Sequence, residues 1–293
     1  MLEEQKMEFG VQQLQLGKVL TSSKNASKAL RIMSQSHYSL IELNGFMIRK
    51  SPFIVRLLTS LFQMPIKKSY KMDWKKLVEE YDLRVISIHE DLDTIETKMD
   101  LIKKECEDYQ CHYIVVTGMY NYDYSSYKEV EALARRLNDA GKKLKESNIS
   151  LLYHNHNVEF VHVDKNHLAY DLLIEKTNPD YVNFEFDSYW PSVSGVDVLS
   201  YMKKLGSRII LHHICDNGNL EKGNFITPII KNKAVELGYG QLNLQAMLNQ
   251  DMINNTKYVI LEQHNHYLHD DPLESLIVSS DYLEQFKKSH IKA

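Results

Sequence analysis

The chain has 293 residues, 43% of them hydrophobic and 25% charged, which is enough apolar mass for a large core. A net charge of -4 at pH 7 gives no diffuse attraction to phosphate backbones or anionic bilayers, so neither nucleic acid nor a membrane is an expected partner. No run of 18 apolar residues occurs, no apolar stretch follows the polar start MLEEQKMEFG, and the three cysteines (Cys106, Cys111, Cys215) lack CxxC spacing, which together predict a cytoplasmic protein without a disulfide framework or zinc knot.

Short β-branched or aromatic runs recur along the chain. They fall at residues 10–15, 38–43, 84–89, 113–117, 149–153, 182–186, 208–213 and 258–262. Longer amphipathic segments lie between them, as at 127–146, where Val130, Leu133, Leu137 and Leu144 recur at spacings of three, four and seven. Eight strands alternating with crossover helices predict one α/β domain over 1–293, a single (β/α)8 TIM barrel, whose closed sheet has no edges to protect. The irregularity is 51–73: Phe53, Ile54, Leu57, Leu58, Leu61 and Phe62 form an apolar helical face until Met64-Pro65 breaks it. It is read as a lid over the mouth, a contact in a homo-oligomer, or a helix packed on the exterior.

In such a barrel the inward residues at the C-terminal strand ends face one cavity, so polar residues there are candidates for chemistry. The fifth run ends YHNH, the sixth FDSYW, the seventh HHICD and the eighth EQHNH. Side chains alternate with period two, so His154 and His156 share a face, as do Glu185 and Asp187, His213 and Cys215, and Glu262 and His264. Two imidazoles and two carboxylates converging from adjacent strands form a mixed N/O set. That set suits Mn²⁺ first, and Fe²⁺, Co²⁺ or Zn²⁺ as well, better than an all-oxygen Ca²⁺ cage.

YHNHNVEF (153–160), FDSYWPSVSGVD (186–197), RIILHHICD (208–216), the GYG turn (238–240) and VILEQ (259–263), preceded by FGVQQLQL (9–16) and LIELNGF (40–46), resemble the xylose-isomerase-like barrel superfamily of sugar phosphate isomerases and epimerases. The resemblance implies one divalent metal held by His154, Asp187, His213 and Glu262. Family members commonly carry Glu at the fifth-strand position. Here His154 stands there, as in a subgroup with the HNH signature, so a symmetric pair of metal-bound glutamates is not expected. The Lys-Asp pair common after the seventh-strand His reads Cys215-Asp216, and His264 replaces a frequent Asp, so the substrate should differ from that of better-known members.

The expected activity is a metal-dependent isomerase or epimerase acting on a small carbohydrate, a sugar or keto-sugar. A carbon next to a carbonyl would lose its proton to give an enediolate. Glu262 is the base that the resemblance implies, with His156 or His264 as its partner, since an imidazole titrating near neutrality suits proton transfer. His89, Glu159, Trp190 and Arg208 are the expected substrate contacts, Trp190 by stacking on a sugar ring and Arg208, with Arg56, as an anion anchor. A lyase acting on a keto-cyclitol or 3-keto-glycoside could use nearly the same site. A catalytically silent sugar-binding barrel is the reading from a different class.

Overall fold

The computed structural model describes residues 7–50, 69–119, 121–218 and 231–291. Its sheet is a closed barrel of eight parallel strands: β1 (Glu8–Gln12), β2 (Leu40–Asn44), β3 (Arg84–Glu90), β4 (Tyr113–Thr117), β5 (Ser150–His154), β6 (Val182–Asp187), β7 (Ile209–Ile214) and β8 (Tyr258–Leu261). Each strand pairs with its neighbours in the chain, and β8 closes onto β1 with Phe9 opposite Val259. The architecture expected from the alternating runs is therefore the one observed. The first run ends earlier than expected because the Gln12 side chain accepts from the Leu14 N–H and turns 13–16 into a 3-10 helix.

Among the described residues eight main helices pack outside: α1 (Ser23–Gln35), α2 (Trp74–Glu80), α3 (Met99–Asp108), α4 (Tyr127–Lys145), α5 (Ala169–Lys176), α6 (Val198–Leu205), α7 (Leu244–Asn254) and α8 (Pro272–Ile291). Several starts are fixed locally, since Ser22, Asp73, Ser126, Asp197 and Asn243 each accept from a first-turn N–H. In α4 the residues at helical spacing, Val130, Leu133, Ala134, Leu137, Ala140, Gly141 and Leu144, are the buried ones. No described helix is long and apolar enough to cross a membrane. Of the segment read as a lid or interface, 51–68 lies outside the described residues, and Ser69–Lys71 forms a 3-10 turn leading into α2.

The barrel interior is layered. At the bottom Leu40, Ile86, Val115, Leu152, Leu211 and Ile260 form a dry cluster. Gly10 makes that layer possible, because a Cβ there would lie 2.7 Å from the Leu40 Cβ and 2.8 Å from the Ile260 Cδ1. Further along the strands the interior turns polar, with Glu42, Ser87, His154, Glu185, His213 and Glu262 all buried. At that level two pairings slip by one residue: Ile41 pairs Val85 but Glu42 pairs Ser87, and Phe184 pairs Ile209 but Glu185 pairs Leu211. Such bulges re-aim the side chains beside them.

Candidate metal centre and active site

His154 ends β5, Asp187 ends β6, His213 lies one residue from the end of β7, and Glu262 follows β8 directly. One ligand atom from each lies within 4.8 Å of the others, and all four side chains are buried. Four strands whose donors span more than a hundred residues of chain thus deliver them to one point, which is the convergence expected from the strand ends.

Local contacts explain why the donors face inward. Asn155, the middle residue of HNH, clamps the next strand: its Nδ2 donates to the Asp187 carbonyl at 3.0 Å and its Oδ1 accepts from the Asp187 N–H at 3.0 Å. The Tyr189 N–H donates to Asp187 Oδ1 at 3.0 Å, which leaves Oδ2 for the site. His213 presents Nδ1 to Glu262 Oε2 at 3.2 Å, while the adjacent His212 points out of the barrel to Asp251 on α7 at 2.6 Å. Alternation along β7 separates the two neighbouring histidines into an inner and an outer one.

The Lys231 ammonium is 2.8 Å from Asp187 Oδ2 and 2.8 Å from Glu262 Oε2, so positive charge is accepted between these two carboxylates. Two imidazoles and two carboxylates around such a point suit a divalent transition ion. Burial raises the Glu262 carboxyl, but the charges of Lys231, His264 and His213 outweigh it and hold the group well below the ordinary range. For His154 burial and the neighbouring His213 and His156 push the pKa well down, so that ring is neutral, as a ligand must be, whereas Glu185, Glu42 and Glu262 outweigh burial at His213 and hold it well above the ordinary range, so it must release a proton to ligate.

Beneath this quartet lies a second one. Glu185 Oε1 is 2.6 Å from His154 Nδ1, 3.0 Å from His89 Nε2 and 3.1 Å from His213 Nε2. Glu42 Oε1 is 2.9 Å from His213 Nε2 and also contacts His89 Nε2. Burial and the Glu42 charge raise Glu185 to about 8. Burial lowers His89, but Glu42 and Glu185 carry it up to about 10, so it stands as an imidazolium.

Above the quartet opens a cavity of about 310 Å³. His89, His154 and Glu262 reach it from below, and Phe46, Tyr122, Tyr124, His156, Trp190 and His264 are among its walls. His156 packs on Trp190 with ring centroids 5.3 Å apart, and burial lowers its pKa to about 3, so it is a neutral base or acceptor. His264 accepts from the Lys231 N–H at Nδ1 (3.2 Å), which places its own proton on Nε2, 3.3 Å from Glu262 Oε1.

Two expected substrate contacts sit elsewhere. Glu159 is buried under the HNH turn, accepting from the Tyr153 hydroxyl at 2.7 Å and the His156 N–H at 2.8 Å. Arg208 immediately precedes β7, so it lies at the opposite end of the barrel from the mouth, donating to the carbonyls of Ile174 (2.7 Å) and Val182 (3.0 Å) and to Thr177 Oγ1 (2.8 Å). It ties α5 to β6 and cannot anchor a ligand in the cavity. Arg56 lies outside the described residues. Lys231, Glu42 and Glu185 are members of the site that the strand-end reasoning did not assign. Glu42 and Glu185 were visible as charges inside apolar runs, whereas Lys231 lies between β7 and β8 in no motif.

A parallel barrel with a His₂-carboxylate₂ cluster at its mouth defines the class. The chain belongs to the xylose isomerase-like TIM barrel family, whose pattern it matches over residues 41–285. A sugar phosphate isomerase/epimerase from Parabacteroides distasonis has the same fold, with a TM-score of 0.72 and 23% identity over 95% of this chain and 98% of that one. The IolI protein, solved with a bound zinc atom, superposes with a TM-score of 0.70 at 14% identity over 96% of this chain and 98% of that one. Inosose dehydratase from Mesomycoplasma hyopneumoniae strain 7448 is 33% identical over 93 residues, 32% of this chain and 30% of that protein. The match thus spans less than a third of the relative's length.

Proposed function

We propose that this protein is a divalent-metal-dependent isomerase or epimerase of a sugar or keto-sugar, using Mn²⁺ by preference. The observation that carries the reading is the convergence of His154, Asp187, His213 and Glu262 directly below a cavity sized for a small molecule. These four residues would hold the ion. When bound, it supplies Lewis-acid charge that stabilises negative charge developing on adjacent substrate oxygens.

The chain's own groups supply the rest. Glu262 is ionised at neutral pH and takes the proton from the carbon next to the substrate carbonyl. The His264 Nε2 faces one Glu262 oxygen at 3.3 Å and so lends positive potential to that side of the carboxylate. His156, neutral and on the cavity wall, accepts a hydrogen bond from a substrate hydroxyl rather than shuttling a proton, since burial lowers its pKa to about 3. Trp190 and the tyrosines give an aromatic surface against which the apolar face of a sugar ring packs. His89 offers a charged donor from below. Return of the proton to the same carbon gives an epimer, and return to the neighbouring carbon gives an isomer.

A second reading, dehydration of a keto-cyclitol, is favoured by the 93-residue likeness to an inosose dehydratase. The same proton abstraction followed by departure of a β-hydroxyl would produce it. Incubating the Mn²⁺-loaded protein with a panel of keto-sugars and inososes in D₂O separates the two. Deuterium in recovered substrate or its isomer, without loss of water, is the expected result. An absorption band from an unsaturated ketone would replace the first reading with the second, and neither exchange nor such a band with any member would count against both.

A further inference from the structure

Each metal-facing imidazole is strung between two carboxylate levels. His154 has Nδ1 at 2.6 Å from Glu185 Oε1 below and Nε2 at 3.6 Å from Asp187 Oδ2 above. His213 has Nε2 at 2.9 Å from Glu42 Oε1 and 3.1 Å from Glu185 Oε1 below, and Nδ1 at 3.2 Å from Glu262 Oε2 above. A neutral imidazole carries one proton, and only its unprotonated nitrogen can ligate. The lower carboxylates therefore decide which nitrogen looks upward.

Resting on the metal reading above, we infer that Glu185 is the positioning residue of the centre. It accepts the Nδ1 proton of His154, while the Nε2 proton of His213 goes to Glu42, with Glu185 Oε1 3.1 Å away, so that His154 Nε2 and His213 Nδ1 are left to face the cation. Three features of the structure support this. Glu185 Oε1 lies within 3.1 Å of three ring nitrogens, whereas its Oε2 has no hydrogen-bond partner among the described residues. The arrangement thus works in either charge state, because an acid proton on Oε2 leaves Oε1 an acceptor. Both register slips of the barrel fall beside Glu42 and Glu185: the extra residues, Ile86 and Ile210, lie on the neighbouring strands, where they turn Ser87 onto Glu42 and shift β7 against Glu185. Finally, hydrogen-bonding the far nitrogen of a ligating histidine to a carboxylate is the general means of fixing its tautomer and ring orientation.

The test uses the full chain, metal-free and ¹⁵N-labelled. Long-range ¹H–¹⁵N spectra, with His154 assigned through its Gln variant, report the tautomer, and calorimetric titration with Co²⁺ reports affinity. Native His154 is expected as the Nδ1–H tautomer. In Glu185→Met that preference should disappear and Co²⁺ affinity should fall about 10- to 100-fold. Glu185→Gln keeps an acceptor oxygen and should retain the tautomer and most of the affinity, so it decides the matter if the Met variant does not fold. An Nε2–H tautomer in the native protein overturns the inference, as does unchanged Co²⁺ affinity in Glu185→Met. So does uptake of two Co²⁺ per chain with one lost in that variant, since Glu185 would then be a ligand. The expected tautomer without any Co²⁺ uptake would instead remove the metal reading and leave Glu185 as the orienting group of an imidazole cluster.

Discussion

The lower and upper halves of the barrel interior are built on the same strands yet have opposite characters. Leu152 and His154 lie two residues apart on β5 and point to the same side, as do Leu211 and His213 on β7. The lower residue of each pair joins a dry cluster of aliphatic side chains, and the upper one joins a cluster of imidazoles and carboxylates. One strand therefore supplies cohesion at its start and chemistry at its end. The boundary between the halves is where the two register slips occur. The polar cluster rests on a floor with which it shares no side chain, so the two halves should respond to mutation independently.

The largest effect is expected from the upper half. Asp187→Asn keeps the shape of the side chain and the contact of one oxygen with the Tyr189 N–H, but puts an amide where Oδ2 faces Lys231 and the other donors. Divalent-metal uptake, followed by calorimetry, should fall about 100-fold or more while the melting temperature changes little. Full metal occupancy in this variant would mean that the ligand set is wrong.

In the lower half Leu152→Ala leaves a hole under His154 in a fully buried layer. It should cost about 2–5 kcal/mol in urea unfolding. If the halves are independent, Co²⁺ affinity of the folded variant stays within a few-fold of native. A large drop in affinity would show instead that the apolar floor sets the donor geometry.

Between these extremes lies Glu159. Burial raises its carboxyl from an ordinary 4.5 to about 7, against the lowering effect of the Tyr153 hydroxyl and the His156 N–H. The folded state thus keeps a proton that the unfolded chain releases. The stability so gained is complete below about pH 4.5 and is lost as pH rises through 7. Glu159→Gln removes this titration, so its stability relative to native should improve by as much as ~3 kcal/mol between pH 4.5 and 7.5. Parallel melting curves of the two proteins across that range would contradict the shift.

What could be read from the sequence follows the same division. Strand positions and the four donors were legible because period-two alternation, together with the rule that strand C-termini face the mouth, assigns each inward residue from local sequence. His212 and His213 show how far this goes, since adjacency alone cannot tell them apart but alternation places one inside and one outside. Lys231 was not legible because no periodicity constrains a residue in a long connection; only tertiary structure brings it to Asp187. Glu159 looked like a substrate contact because it lies close in sequence to the HNH run, yet its carboxylate turns back to the His156 backbone.

Arg208 sharpens the lesson, since its position relative to the strand already contained the answer. It stands before the first residue of β7, and in a parallel barrel that end is the bottom. Its guanidinium spans the end of α5 and the start of β6, with its centre 4.7 Å from the centroid of the Phe184 ring. Arg208→Met keeps much of the packing of the stem but leaves the Ile174 and Val182 carbonyls without this donor. The variant should lose about 1–2 kcal/mol of stability in urea unfolding. Its KM for whichever carbohydrate the panel identifies should stay within twofold of native, because nothing at that end reaches the cavity. A rise in KM with unchanged stability would return Arg208 to the binding site and overturn the separation of the two ends.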